Sequence, residues 1–169
     1  MDPKHFEEYF AANRKLWNAY TPVNERSKVY DLERFKKGRS SLNPVELEEL
    51  GDVKGKTLLH LQCHFGQDTL SWARLGARVT GVDFCEEAIA LARSLSHDLG
   101  IEARFIESNI YDLPAVLKER FDIVFTSYGA LCWLPDLPQW AGVVRHFLEK
   151  TGKGDGPAVV SFSREKGKK

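Results

Sequence analysis

Apolar residues first recur at helical intervals. Phe6, Tyr9, Phe10, Leu16, Trp17 and Tyr20 follow such a spacing, and Pro22 is expected to break the segment. Val29, Leu32 and Phe35 predict a second, short helix ended near Gly38. A third is bracketed by strong signals. Asn43 stands at the N-cap, Pro44 follows it, Glu46 lies three positions on, and Gly51 closes the stretch.

From Lys54 the rhythm changes. Short apolar runs at Thr57–Leu61, Arg78–Asp83, Ala103–Ile106 and Phe121–Thr126 read as strands, and Ala158–Phe162 reads as a fifth. Between them lie amphipathic stretches at 67–75 and 85–99, stopped by Gly76 and Gly100, and at 137–149. Strands alternating with helices of this length predict crossover units, hence an α/β fold with a doubly wound parallel sheet. Such a sheet binds ligands beyond the carboxyl ends of its strands, where strand order reverses. The predicted division is a helical cap at 1–53 and a sheet core at 54–169.

Composition narrows the function. The chain has 169 residues, with 24 Lys plus Arg against 24 Asp plus Glu, so its formal charge is zero. A balanced charge disfavours a nucleic-acid partner gripped by bulk electrostatics. No apolar run is long enough to span a membrane. Three cysteines at scattered positions, Cys63, Cys85 and Cys132, suit a reduced cytoplasmic protein rather than a disulfide framework. No Cys or His spacing supports a metal site.

Four consecutive strand ends carry polar or aromatic groups. The first opens into Gln62-Cys63-His64-Phe65-Gly66-Gln67-Asp68-Thr69, a tight strand-to-helix turn. Asp83 ends the second strand, where a carboxylate accepts hydrogen bonds from ribose hydroxyls. Asn109-Ile110 follows the third, and an amide there matches an adenine edge as donor and acceptor. Thr126-Ser127-Tyr128 ends the fourth and leads to Leu131-Cys132-Trp133-Leu134-Pro135. A nicotinamide-dependent oxidoreductase would place glycines where Gln62 and His64 stand, and the phosphate-loop signature of nucleotide hydrolases is absent.

With these residues in this order, roughly positions 10–150 resemble the class I methyltransferases that use S-adenosylmethionine. The resemblance is to a subgroup whose first motif reads like His60–Thr69. It implies a Rossmann-like sheet and methyl transfer to a small-molecule acceptor. It also implies a cofactor held by Gln62, Cys63, His64, Gly66, Asp68, Thr69, Asp83, Phe84, Asn109, Ile110 and Ser127. Trp17, Tyr20, Tyr128 and Trp133 would bind the acceptor, with Tyr128 and His64 as catalytic candidates. A non-catalytic domain that binds the cofactor or a partner without turnover is the alternative.

The sequence departs from the family pattern at four positions. His60 stands where an acid is usual, Asn109 where aspartate is commoner, and Gln62 and His64 where glycines allow positive φ and close backbone approach. Both side chains are expected to make that conformation harder. After Leu148 the family usually continues through a proline-glycine turn and a fifth strand to a further antiparallel pair. Here a glycine-rich loop at 151–157 and a basic tail at 163–169 are expected, with the last two strands missing. The expected consequence is an exposed sheet edge that invites homodimerisation.

Overall fold

A computed structural model describes residues 4–148 and 158–161. The expected loop at 151–157 and basic tail at 163–169 lie outside the described residues. Helices α1 (Lys4–Glu25), α2 (Leu32–Lys36) and α3 (Pro44–Leu50) come first. Then β1 (Thr57–Leu61), α4 (Gln67–Arg74), β2 (Arg78–Asp83), α5 (Glu86–Asp98) and β3 (Arg104–Glu107) alternate. They are followed by α6 (Leu113–Val116), β4 (Ile123–Thr126), α7 (Leu137–Phe147) and β5 (Ala158–Ser161).

The five strands form one parallel sheet in the order β3-β2-β1-β4-β5. β1 sits at its centre, pairing Leu58 with Val79 on one side and with Ile123 on the other. Strand order reverses between β1 and β4, so the ligand crevice of such folds opens at the carboxyl ends of these two strands. Continuous burial along β1 and β4 follows from helices covering both faces. Leu59, Leu61, Val82 and Val124 pack against Val143, Val144 and Phe147 of α7. Leu58, Val79, Ile123 and Phe125 face Trp72 of α4.

The N-terminal helices are part of these cores. Leu32 and Phe35 of α2 pack with Phe65, Ile89 and Phe105. Leu42, Leu50 and Val53 pack with Leu58 and Trp72. The predicted start of α3 holds, and the backbone N–H of Asn43 donates to Glu46 Oε2 at 2.6 Å. Pro22 does not break α1. It removes one hydrogen bond from the ladder, but the helix ends within a turn at Glu25, so little remains for it to disrupt. Two short elements had no periodic signal, α6 and a 3₁₀ turn at Leu131–Trp133.

Candidate functional site

The turn after β1 is wound by three left-handed residues, Gln62 at φ 59°, His64 at φ 51° and Gly66 at φ 78°. Only Gly66 is free of Cβ strain there. Gln62 and His64 adopt the conformation in spite of that cost. Contacts distant in sequence hold both. The His64 N–H donates to Asp83 Oδ2 at 2.8 Å, the Cys63 N–H donates to the Val82 carbonyl at 2.9 Å, and Gln62 Nε2 donates to the Ala130 carbonyl at 3.1 Å.

Asp83 is thus the hub of the turn. Its Oδ1 also accepts the Cys85 N–H at 3.0 Å, and its carbonyl accepts the Ser108 N–H at 2.9 Å. Burial pushes its carboxyl up to about 6, opposed by the backbone N–H donors of Cys85 and His64. A carboxylate has about four acceptor sites, so it keeps capacity beyond these donors.

One aromatic ring sets how closely the turn approaches β2. A Cβ on Gly66 would lie 2.7 Å from Phe105 Cε1 and Cζ. A Cβ on Gly81 would lie 2.8 Å from Cδ1 and Cε1 of the same ring. Phe105 therefore fills the space that two side chains would need.

Beyond this turn lies a cavity of about 1000 Å³, at the upper end of small-molecule sites. Of the residues singled out in the sequence, Gln62, Cys63, His64, Gly66 and Asp68 line it from the turn and the start of α4. Asp83, Phe84, Asn109 and Ile110 line it from the ends of β2 and β3. Ser127, Tyr128 and Trp133 line it from the loop after β4, and Trp17 from α1.

Two of them lie elsewhere. Thr69 is fully buried behind the turn, where its hydroxyl meets His60 Nδ1 at 2.8 Å. The first turn of α4 carries the Thr69 side chain back toward the sheet. Tyr20 is 47% exposed and packs edge-on against Trp17 on the outer side, so it is no part of the cavity wall. His60 stands at the family's acidic position, and burial lowers its pKa to about 3, so its ring is neutral. Burial also lowers His64 to about 4, and its ring packs against Trp17, Tyr30 and Phe65.

Several lining residues were not anticipated. Ser41 donates to Asp68 Oδ1 at 2.6 Å and its own N–H donates to Ser71 Oγ at 3.1 Å. Gln67 Nε2 donates to the Tyr30 carbonyl at 2.8 Å. Burial pushes Asp68 up to about 6 and Glu46 up to about 7, and the nearby Asp68 charge adds to the rise at Glu46. Tyr30, Arg39 and Ser41 sit in aperiodic polar connections, which carry no pattern that marks them as lining a cavity. Asn13 did leave a signal, since it is a polar residue on the helix face that carries Phe10 and Trp17. Among the described residues no three His, Cys, Asp or Glu side chains group as a metal site. No helix among them is long and apolar enough to cross a membrane.

This geometry coincides with a family match. The model of the methyltransferase domain matches residues 58–152, more than half the chain. This chain belongs to the methyltransferase domain family. Its sheet is the Rossmann-like α/β fold of the class I members. The methyltransferase-domain chain is 33% identical over 144 residues to a ubiquinone biosynthesis O-methyltransferase of Proteus mirabilis, covering 83% of this chain and 57% of that protein. It is 32% identical over 146 residues to the protein of the same name from Salmonella paratyphi A, covering 84% and 58%. The chain thus spans just under three fifths of the length of these curated relatives.

Solved structures agree on the fold. A DhpI–SAH complex superposes with a TM-score of 0.58 at 21% identity, over 80% of this chain and 62% of that one. A structure described under conversion of a disulfide bond into a thioacetal group during echinomycin biosynthesis superposes with a TM-score of 0.54 at 33% identity. That match covers 62% of this chain and 44% of the other.

Proposed function

We propose that this chain binds S-adenosylmethionine in the cavity and presents a small-molecule acceptor to it for methyl transfer. The observation that carries the reading is the convergence of the left-handed turn, Asp83 and Asn109 on one cavity at the carboxyl ends of β1, β2 and β3. The residues fit that cofactor. Asp83 keeps acceptor capacity for ribose hydroxyls after holding His64 and Cys85. Asn109 uses its Oδ1 for the Tyr111 N–H at 3.2 Å, which leaves its amide donors for an adenine edge. The turn from Gln62 to Gly66 cradles the amino-acid end, with Phe84 beside the base and Ser127 toward the acceptor.

When bound, the cofactor supplies a methyl group on a positively charged sulfur. The chain then has to align an acceptor and exclude water, and alignment alone supplies up to ~7–11 kcal/mol in ideal cases. Trp17, Tyr128 and Trp133 bound the acceptor space. The neutral His64 and the Tyr128 hydroxyl are the proton-accepting candidates where the acceptor must lose a proton. The names of the relatives favour oxygen as the accepting atom.

In the same reading, segment 1–53 caps the core at 54–169, and β5, an edge strand among the described residues, offers a surface for a second copy. Zero net charge disfavours a nucleic-acid partner, and three free cysteines suit a reducing cytoplasm.

Calorimetry with S-adenosylmethionine and S-adenosylhomocysteine tests the reading. Binding of both is expected, with loss in Asp83→Asn while near-ultraviolet circular dichroism stays native. Absence of binding by the unmodified chain overturns it. Binding without turnover across a panel of hydroxylated acceptors favours the non-catalytic alternative.

A further inference from the structure

One wall of the cavity differs in chemistry from the rest. It is built by α1 and by the loop after β4, which meet where the Trp17 and Trp133 rings approach to 5.4 Å at 78°. Tyr9 reinforces the junction by donating to the Trp133 carbonyl at 3.3 Å. None of the residues that α1 and positions 127–134 supply to the cavity is charged. The charged lining residues Lys28, Asp31, Arg39, Asp68 and Asp83 all come from other segments. Of the α1 charges, Glu7, Arg14 and Lys15 border an adjoining shallow depression, which shares Phe10, Phe84 and Asn109 with the cavity, and none of the three lines the cavity itself.

Within this neutral wall sits one buried amide. Asn13 is 9% exposed and lines the cavity between Phe10 and Trp17 on the same helix face. Among the described residues its side chain makes no hydrogen bond. Its amide atoms are still reached by solvent, so they stay open to a group that arrives from the cavity.

We propose that this wall recognises the methyl acceptor as an uncharged, flat-ring molecule bearing a hydroxyl or carbonyl group. The ring lies against Trp17 and Trp133, and the polar group pairs with Asn13, which offers both a donor and an acceptor. An anionic acceptor is rejected, because no cation on this wall compensates the loss of its hydration. The proposal rests on the reading of the cavity as a methyl-transfer site, since it assigns the acceptor side of it.

The test uses two probes of one shape, 2-naphthol, neutral at pH 7, and 2-naphthoate, its carboxylate counterpart. Each is titrated calorimetrically into the full chain, with and without saturating S-adenosylhomocysteine. 2-Naphthol is expected to bind, with 2-naphthoate at least about tenfold weaker. Trp133→Ala is expected to weaken 2-naphthol by about 3- to 10-fold, and Trp133→Phe to restore most of it. Asn13→Ala is expected to weaken 2-naphthol about fivefold while S-adenosylhomocysteine affinity and the thermal midpoint stay unchanged. Equal or tighter binding of 2-naphthoate, no binding of either probe, or indifference to both Trp133→Ala and Asn13→Ala overturns the proposal. Selective 2-naphthol binding in a chain that ignores S-adenosylhomocysteine overturns the methyl-donor reading instead, and leaves the neutral ring site standing.

Discussion

The ring of Phe105 lies across two glycines, and this makes the turn geometry measurable. Gly81 has an ordinary β-strand backbone, so Gly81→Ala adds only a steric conflict, 2.8 Å to Phe105 and 2.9 Å to Cys63 Sγ. Overpacking of this kind costs about 1–3 kcal/mol. Gly66→Ala adds a similar conflict at 2.7 Å and also forces a Cβ onto a residue at φ 78°. The left-handed conformation costs a further ~1–2 kcal/mol, so the total is about 2–5 kcal/mol.

Phe105 is only 6% exposed and packed among Phe65, Ile89 and Ala92, so the ring has little room to retreat. Phe105→Leu separates the two contributions. In that background Gly81→Ala should lose the part of its cost that Phe105 imposes and keep the part set by Cys63 Sγ at 2.9 Å. Gly66→Ala should keep its ~1–2 kcal/mol backbone cost. Urea unfolding of the three single and two double variants, analysed as two double-mutant cycles with unchanged slope m, measures this. A Gly66→Ala cost well below ~1 kcal/mol in the Phe105→Leu background would refute the backbone argument, and absence of coupling to Phe105 would refute the packing argument.

Three further outcomes are expected. Asp68 is raised to about 6 by burial, so its native form holds a proton more tightly than the unfolded chain, and its cost to stability grows as pH rises from about 4 to 6. Asp68→Asn keeps an acceptor for Ser41 and should stabilise the fold by up to about 3 kcal/mol at pH 8, a gain that vanishes at pH 4, and a pH-independent gain in thermal unfolding would contradict this. The same sign applied to Asp83, also near 6, predicts that S-adenosylhomocysteine affinity climbs between pH 5 and 7 and then levels, because a deprotonated carboxylate is the better acceptor; a flat calorimetric profile counts against Asp83 as the ribose contact. Asn43→Ala removes the helix-starting side chain of α3 and should cost about 1 kcal/mol in chemical denaturation, whereas no loss would mean that Pro44 and the Glu46 contact suffice.

The alternation of strands and helices, the parallel sheet and the strand ends beside which the cavity lies are legible in the chain's local pattern. These follow from periodicity and stop signals that act over a few residues, as at Asn43-Pro44, Gly76 and Gly100. Asp83, Asn109, Ser127 and Tyr128 are marked in the same way, since each stands at or a few residues past the end of an apolar run. Tertiary structure decided the rest, because the deciding contacts join residues far apart in the chain. Gln62 and His64 take left-handed conformations since Ala130 and Asp83 hold their backbone and side chain in place. Thr69 turns to His60 rather than to the cavity, and Tyr20 to the exterior, through rotations that spacing alone does not specify. Asp68 meets Ser41 only because α2 and α3 pack onto the sheet. Asn13 reaches the cavity only where α1 crosses it and meets the loop at Trp133, an encounter between side chains whose separation along the chain leaves no trace in local pattern.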